Sequence, residues 1–273
     1  MSPDIPLEDQ FQDIIGKVQR GLRLGNDELA RKAGIDVKML AELQAGKLHT
    51  EALIKVASAL HLGSTSLLAL AESRYIPAAI EGVEGIRMFN TPFDEMTVNS
   101  YVIWDPATSE AALFDTGSDG QPMLDFTEKH GLNVTQIFLT HAHIDHIFDL
   151  DRLIEKTGAH ARIGNKEALA GVEHFAAGET FRIGTLDVAT RLTSGHSPGG
   201  ITYFISGLAS PLAIVGDSMF AGSMGGGVVS YADALGNNRE QILTLPDNTI
   251  ICPGHGPPTT VGEQKNSNPF FAA

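Results

Sequence analysis

The chain reads Thr140-His141-Ala142-His143-Ile144-Asp145-His146 near its middle. Three imidazoles and one carboxylate within six residues are too dense for an ordinary protein core. Imidazole is the commonest neutral metal ligand, and an aspartate adds the negative charge that helps to hold a second divalent ion. In an extended backbone, His141 and His143 point to the same side. The stretch therefore predicts a metal site, and a solvated polar loop is the less favoured interpretation.

Four ligand-type residues each follow closely on a strand-like apolar run. These residues are His141, His196, Asp217 and His255. A glycine stands immediately before three of the four, and glycine lets the backbone turn tightly and approach a site. Ligand sites in α/β proteins collect at the ends of strands, where loops converge on one rim. We therefore expect the four side chains to meet at one edge of the fold.

The order of these motifs resembles that of the metallo-β-lactamase superfamily, and most closely its glyoxalase II-type hydrolases. The motifs are Thr140–His146, Gly195–Gly199, Gly216–Phe220 and Pro253–Pro257, with Phe114-Asp115-Thr116-Gly117 ahead of them. The resemblance covers residues 86 to 273. It implies an αβ/βα sandwich for this part of the chain. The alternation of strand-like and helix-like segments by itself predicts only the α/β class.

The segments that carry this alternation are short. We predict strands at 99–104, 111–114, 134–140, 201–205, 212–215 and 249–252. We predict a hairpin at 181–193 that turns at Gly184-Thr185. We predict helices at 121–130, 147–156 and 232–245, the last with an interruption at Gly236-Asn237-Asn238.

The resemblance implies a binuclear site that holds two divalent ions, with zinc as the expected metal and iron or manganese as alternatives. The first ion would be held by His141, His143 and His196. The second ion would be held by Asp145, His146 and His255. Asp217 would bridge the two. Two ions about 3.5–4 Å apart lower the pKa of a shared water, so that hydroxide can attack a carbonyl carbon.

Two aspartates would support this chemistry. Asp145 would orient the nucleophile in addition to binding metal. Ligating histidines usually donate their other ring N–H to a carboxylate or carbonyl. Asp115 is a candidate for that supporting role, and capping of the Thr116-Gly117 turn is its alternative.

The resemblance implies hydrolysis of a thioester, as in hydroxyacylglutathione hydrolases, or of a related ester such as a lactone. Many glyoxalase II-type enzymes carry a basic residue after the third motif that contacts glutathione. Here no Lys or Arg occurs between Asp217 and Arg239, so the acyl and thiol groups of the substrate stay open. Tyr231 is a candidate substrate contact, with a packing role as the alternative.

Two other functions fit part of the pattern. A persulfide dioxygenase of this superfamily would use one iron held by His141, His196 and Asp217, and it would consume oxygen. A metal-linked regulator would use the N-terminal part of the chain to bind DNA. The full set of seven ligand-type residues favours the hydrolase.

Residues 1–74 read as a small all-α domain, followed by a linker at 75–85. Helices are predicted at Phe11–Leu24, Asp27–Ala33, Val37–Ala45, Glu51–Leu60 and Ser66–Ala71. Asn26 and Asp36 are the expected N-caps of the second and third helices. The pattern Asp27–Gly34 followed by Leu43–Gly46 resembles the helix-turn-helix domains of Cro and phage repressors.

The charge of this N-terminal part does not favour DNA binding. Residues 1–75 contain nine Lys and Arg against ten Asp and Glu. Duplex binding draws most of its affinity from cationic contacts to phosphate. A role in packing or in homodimerisation is therefore slightly favoured over DNA.

Composition places the chain among ordinary globular enzymes. Its 273 residues are 42% hydrophobic, enough for one large domain with a small companion. No apolar run approaches the roughly 20 residues that span a bilayer, and residues 1–10 do not read as a signal peptide. The single Cys252 suits a reducing compartment, and the net charge of −14 disfavours anionic lipid and nucleic acid. We expect a cytoplasmic enzyme with a small-molecule substrate and no membrane partner.

Overall fold

The computed structural model describes residues 5–80 and 82–272. The first four residues of the predicted helical domain, and Glu81 of the predicted linker 75–85, lie outside the described residues, as does Ala273. No helix in these two described ranges is long and apolar enough to cross a membrane.

The first sheet contains six strands in the order in which they occur along the chain. They are β1 Ile86–Phe93, β2 Met96–Trp104, β3 Glu110–Phe114, β4 Asn133–Leu139, β5 His160–Gly164 and β6 Glu173–Phe175. The strands β1 to β3 pair antiparallel, and β3 to β6 pair parallel. Parallel pairing aligns the carboxyl ends of β3 and β4 at the same edge.

The second sheet also contains six strands, in reverse chain order. They are β7 Thr180–Ile183, β8 Leu186–Leu192, β9 Ile201–Ser206, β10 Leu212–Gly216, β11 Ile250–Pro253 and β12 Thr259–Thr260. The predicted hairpin forms between β7 and β8, which pair antiparallel. β10 and β11 are parallel, so their carboxyl ends also reach one edge.

The two sheets pack face to face because alternate residues of each strand point to opposite sides. On β3, Phe114 faces the space between the sheets, whereas Leu113 faces the helices outside. Phe114, Phe138 and Tyr203 form an aromatic cluster between the sheets, with ring centroids 5.2–5.4 Å apart. Strands that are buried on both sides read as continuous apolar runs. The structure confirms a two-sheet α/β sandwich.

Helices cover the outer face of each sheet. The first sheet carries α6 Gln121–Lys129 and α8 Leu150–Thr157, with the short helix α7 Ile144–Ile147 between β4 and α8. The second sheet carries α9 Tyr231–Asn237, a π-helical turn Asn238–Ile242 and α10 Val261–Ser267. The predicted interruption in the helix 232–245 is therefore a change from α to π geometry, and Asn238 is buried there.

Five short helices precede the sheets. They are α1 Phe11–Gly21, α2 Asn26–Ala33, α3 Val37–Gln44, α4 Thr50–Ala59 and α5 Ser64–Ala71. Their apolar faces form one buried core. All five segments were predicted as helices, with ends that differ by a few residues. The identity of α2 and α3 as a DNA-binding helix-turn-helix stays a prediction, as does homodimerisation.

The predicted cap of α3 is present, but that of α2 is wrong. The carboxylate of Asp36 accepts the Lys38 N–H at 2.7 Å. Asn26 instead forms the first residue of α2, with Gly25 at the N-cap. The reason is tertiary: the side-chain oxygen of Asn26 accepts hydrogen bonds from two glutamine side chains of neighbouring helices, Gln19 and Gln44.

The N-terminal helices pack directly on the sandwich. Their core includes Met224, Ala234 and Phe270, which lie beyond β10 in the chain. The backbone N–H of Gly63 donates to the Pro269 carbonyl at 2.7 Å. The sequence predicts separate domains at 1–74 and 86–273, and that division stays a prediction. In the structure, these residues of the second part complete the hydrophobic core of the first.

Gly21 tests this packing, because the ring of Tyr231 lies against it. A Cβ atom at Gly21 would lie 2.4 Å from Cγ and 2.8 Å from Cβ of Tyr231. Alanine is favoured over glycine in a helix by about 1 kcal/mol, but overpacking costs about 1–3 kcal/mol. The base of a side chain cannot rotate away from such a clash. We expect Gly21→Ala to lower the free energy of unfolding by about 1 kcal/mol or more, measured by urea denaturation.

The matched control is Gly236→Ala, also within a helix. A Cβ atom at Gly236 would meet no atom within 4 Å. This variant should keep the wild-type stability or gain up to about 1 kcal/mol. Equal stabilities of the two variants would contradict the close packing of α1 on Tyr231.

Candidate metal centre

The centre lies where five strands end. The residues that follow β3, β4, β8, β10 and β11 bring in Asp115, His141, His196, Asp217 and His255. The loop after β4 also carries His143, and α7 carries Asp145 and His146. The structure thus brings together all the metal-site residues that the sequence predicts, at one edge of the sandwich.

The ligand-type atoms fall into two groups, and within each group they lie within 4.8 Å of one another. The first group consists of His141, His143, His196 and Asp217. The second group consists of Asp145, His146 and His255. Grouping by distance therefore reproduces the division into two sites that the family resemblance implies.

Asp217 lies at the junction of the two groups. Its Oδ2 is 3.4 Å from His196 Nε2 in the first group and 3.5 Å from His255 Nε2 in the second. Its Oδ1 is 3.3 Å from His146 Nε2. A carboxylate with two oxygens facing two sets of imidazoles is placed to contact an ion in each.

Thr140 fixes the ring of His141. The Thr140 hydroxyl donates to Asp115 Oδ2 at 2.8 Å, and Thr140 Oγ1 lies 3.0 Å from His141 Nδ1. Because the hydroxyl proton is committed to Asp115, the His141 Nδ1–H donates to Thr140. That tautomer leaves the lone pair of His141 Nε2 for a metal.

Asp115 organises the loop after β4. Its carboxylate accepts hydrogen bonds from the Thr140 N–H at 2.7 Å and from His146 Nδ1 at 2.8 Å. Asp115 is buried and adopts a left-handed backbone conformation with φ 54°. Its side chain therefore contacts one candidate ligand, His146, and the sequence neighbour of another, His141.

Two backbone carbonyls orient the remaining imidazoles. His196 Nδ1 lies 3.1 Å from the Gly226 carbonyl oxygen. His255 Nδ1 lies 2.7 Å from the carbonyl oxygen of Thr97. Each of these rings therefore has one nitrogen bound to protein and the other directed at the centre, which is the usual pattern for metal-ligating histidines.

The charges of the centre favour a cation. Burial alone would raise the pKa of the Asp217 carboxyl, but His255 and His146 hold it well below its usual range. Burial alone would lower the pKa of His146, but Asp115 and Asp217 raise it to about 10. Burial keeps the pKa of His141 well below its usual value. The centre thus offers an anionic carboxylate and a neutral imidazole, and a metal ion would compete with the proton on His146.

Glu167 holds two of the ligand-bearing loops, and no motif in the sequence indicates it. This buried carboxylate accepts the Ala142 N–H at 3.2 Å and the Gly199 N–H at 2.7 Å. Ala142 lies between His141 and His143. Glu167 therefore ties the loop after β4 to the loop that follows His196.

Glycines allow the backbone to approach the centre closely. A Cβ atom at Gly254 would lie 2.3 Å from Asp217 Oδ1 and 2.6 Å from Cε1 of His146. A Cβ atom at Gly225 would lie 1.9 Å from the Asp217 carbonyl oxygen. Larger residues at these two positions would displace the carboxylate at the junction.

The centre opens into a cavity of about 940 Å³. Phe93 and Met96 from the β1–β2 hairpin line one part of it, and Phe220 lines another. Glu8 and Lys17, from the segment before the sheets, also line the cavity. These two residues were not predicted, because no local pattern in the sequence connects the N-terminal segment to the motifs.

Tyr231 occupies a different place. Its side chain packs on the core of the N-terminal helices, and it is not among the described residues that line the cavity. Its role as a substrate contact stays a prediction.

Five histidines belong to neither metal group in the described part of the chain: His49, His61, His130, His160 and His174.

Orphaned atoms show that the residues fit a metal. His141 Nε2, His146 Nε2 and Asp217 Oδ1 are buried and make no hydrogen bond to any described residue. Buried polar atoms rarely stay unpaired in proteins. All three belong to the ligand-type cluster and would be satisfied by divalent cations, and their nitrogen and oxygen types suit zinc.

A model of one protein family matches residues 93–255, which include every candidate metal ligand of the centre. That family is the metallo-beta-lactamase superfamily. The chain belongs to the metallo-β-lactamase superfamily. The matched region begins within β1, and the five N-terminal helices precede it.

Individual members of the superfamily match about two thirds of the chain. "Probable metallo-hydrolase YqgX" of Bacillus subtilis is 31% identical and covers 66% of this chain and 95% of its own length. "Hydroxyacylglutathione hydrolase GloC" of Haemophilus influenzae is 26% identical and covers 66% of this chain and 95% of its own length. The crystal structure of the B3 metallo-β-lactamase BLEG-1 is similar with a TM-score of 0.60 and 28% identity, over 68% of this chain and all of that one. The chain is a metallo-hydrolase by superfamily.

Proposed function

We propose that this superfamily member is a hydrolase with two divalent ions, zinc by preference, that cleaves a thioester or a related ester. The observation that carries the proposal is the placement of Asp217 between two separate groups of ligand-type residues. The proposed ligands of the first ion are His141, His143 and His196. The proposed ligands of the second ion are Asp145, His146 and His255. Asp217 would contact both ions.

Divalent ions in such a centre polarise the substrate carbonyl and lower the pKa of water. The residues of this chain supply the rest. Thr140 and Asp115 hold His141 and His146 in the tautomers that direct their Nε2 atoms at the centre. The apolar side chains of Phe93, Met96 and Phe220 in the cavity wall exclude water from part of the bound substrate, which strengthens electrostatic interactions there.

Asp145 has a second proposed role, as the group that orients the attacking water. Its Oδ2 lies 3.2 Å from His255 Nε2 and 3.4 Å from His146 Nε2. The same carboxylate lines the open cavity, where it can accept a hydrogen bond from a water molecule. An ionised carboxylate suits this role, and the contacts with His255 and His146 keep the pKa of Asp145 low against the opposing effect of burial.

The thioester as substrate class is supported by the similarity to a hydroxyacylglutathione hydrolase. A mononuclear-iron dioxygenase is the alternative, with His141, His196 and Asp217 as its ligands. That alternative leaves Asp145, His146 and His255 without a metal-binding role, although their ligand atoms converge within 4.8 Å. The convergence of the second group therefore favours the hydrolase.

The proposal is tested by hydrolysis of S-D-lactoylglutathione under anaerobic conditions. We expect the zinc-loaded protein to release thiol without oxygen. A chelator should abolish this activity and lower the melting temperature, because an ion that binds only the folded state stabilises it. Added zinc should restore both, and more readily at higher pH, because less protonated histidine competes with the ion.

The outcomes separate the two reactions. Thioester hydrolysis that persists without oxygen and responds to zinc supports the hydrolase. Oxygen consumption with a persulfide substrate that requires iron would instead establish the dioxygenase. The same protein is also assayed with lactone substrates, which shows whether it hydrolyses esters other than thioesters.

A further inference from the structure

Lys17 lies in the wall of the metal cavity, although it belongs to the first helix. Its side chain lines the cavity together with Phe220 and the candidate metal ligands. The Lys17 Nζ lies 5.1 Å from the centroid of the Phe220 ring, and that ring lies 5.9 Å from the ring of His255. The Phe220 ring therefore contacts both the ammonium group and a candidate metal ligand.

The ammonium group is held in position before any substrate arrives. It forms an ion pair with the buried Asp9 and donates to the Met224 carbonyl at 2.9 Å. Asp9 is itself fixed, because it accepts the Ser223 hydroxyl at 2.6 Å. An ammonium group has three N–H donors, and these two contacts use two of them. The third donor is left for a ligand, and little ordering entropy remains to be lost on binding.

The charges around Lys17 disfavour a doubly charged anion. Among the described residues that line the cavity, Lys17 is the single lysine or arginine. Three carboxylates outside the metal centre line the same cavity: Glu8, Asp94 and Glu95. A phosphate group with about two negative charges would meet more repulsion from them than a carboxylate would.

We propose that Lys17 is a specificity-determining residue that binds a carboxylate on the thiol side of the substrate. This inference rests on the proposed thioester hydrolase function. In a hydroxyacylglutathione the acyl group is small and uncharged, and the carboxylates lie on the thiol side, remote from the scissile carbonyl. Lys17 is also outside the set of candidate metal ligands, since its ammonium group contacts the Phe220 ring and that ring contacts His255.

The test compares two thioesters with the same acyl group. S-D-lactoylglutathione carries carboxylates on its thiol part, and the lactoyl thioester of N-acetylcysteamine carries no charge. Lys17→Gln alone would leave Asp9 buried without its cation, which destabilises proteins. The test variant is therefore the double variant Asp9→Asn with Lys17→Gln. Lys55→Gln, on the exposed face of α4, is the control.

The expected result is a selective loss. In the double variant, kcat/KM for the glutathione thioester should fall about tenfold or more, mainly through a higher KM, as expected for one lost charge-assisted hydrogen bond. The kcat/KM for the uncharged thioester should change less than about twofold, and Lys55→Gln should change neither. A parallel fall for both thioesters would show that Lys17 only positions the loop at Met224, and it would overturn the inference. Unchanged kinetics would also overturn it.

Binding of S-methylglutathione separates this inference from the proposed function. The proposed function fails if the wild-type protein hydrolyses neither thioester. In that case calorimetric titration of the zinc-loaded protein still tests Lys17, because the capped sulfur cannot bind the metal as a thiolate and the carboxylates remain as the anionic groups of the ligand. The double variant should bind about tenfold more weakly than the wild type. Equal affinities, or no binding by the wild type, would overturn the inference.

Discussion

Replacement of His143 by alanine is expected to reduce kcat/KM at least about 10³-fold, because metal assistance contributes several kcal/mol to such reactions. His143 belongs to the first metal group, and its Nδ1 lies 3.0 Å from His196 Nε2. Its side chain is exposed, so that the fold does not depend on it. The melting temperature of the metal-free variant should equal that of the metal-free wild type.

The matched control is His160→Ala, which removes another exposed histidine at the start of β5. It should keep wild-type kinetics and metal content. Undiminished activity of His143→Ala would contradict the assignment of the first metal group. If the variant loses both activity and folding, the metal content of its folded fraction tests the assignment. That content is measured by elemental analysis after gel filtration. We expect that content to fall below the wild-type value.

Replacement of Asp115 by asparagine is expected to have the second largest effect. The buried carboxylate contacts the Thr140 N–H, the Thr140 hydroxyl and His146 Nδ1 at 2.7–2.8 Å. An amide offers one acceptor oxygen, and its NH₂ group would face a donor. We expect a 10–100-fold loss, to order of magnitude, of metal affinity and of kcat/KM, and a loss of about 1–3 kcal/mol of stability.

Glu167→Gln provides the comparison for Asp115→Asn. Glu167 also accepts two hydrogen bonds within the loops of the centre, but among the described residues it makes no hydrogen bond to an imidazole. The Glu167→Gln variant should lose stability, but its metal affinity should fall less than that of Asp115→Asn. Titration with zinc and a competing chelator measures the affinities. A larger affinity loss for Glu167→Gln than for Asp115→Asn would contradict the role of Asp115 in orienting His146.

The centre was predictable because its signals are local and ordered. Each ligand-type residue stands just beyond a strand, and strands with both faces buried are visible as apolar runs. The parallel pairing of β3 with β4 and of β10 with β11 then brings distant motifs to one edge. The positions of His141 and Asp217 follow from these runs.

The parts that sequence reasoning missed depend on tertiary contacts. Asn26 looks like a helix cap in its local sequence, but two glutamine side chains from other helices occupy its oxygen. Lys17 has no neighbour in the sequence that indicates a cavity, since its contact Met224 lies 207 residues away. Strands β1, β5, β6 and β12 were not predicted. The last three contain five, three and two residues, too few to show a clear period. β1 has eight residues, but its burial does not alternate regularly.

The metal content of the purified, untagged protein tests the central claim most directly. The protein should be expressed with both zinc and iron available and then analysed by elemental analysis. About two zinc ions per chain would agree with the two groups of ligands that Asp217 joins. About one iron per chain would contradict the binuclear centre and leave His255 without its proposed role.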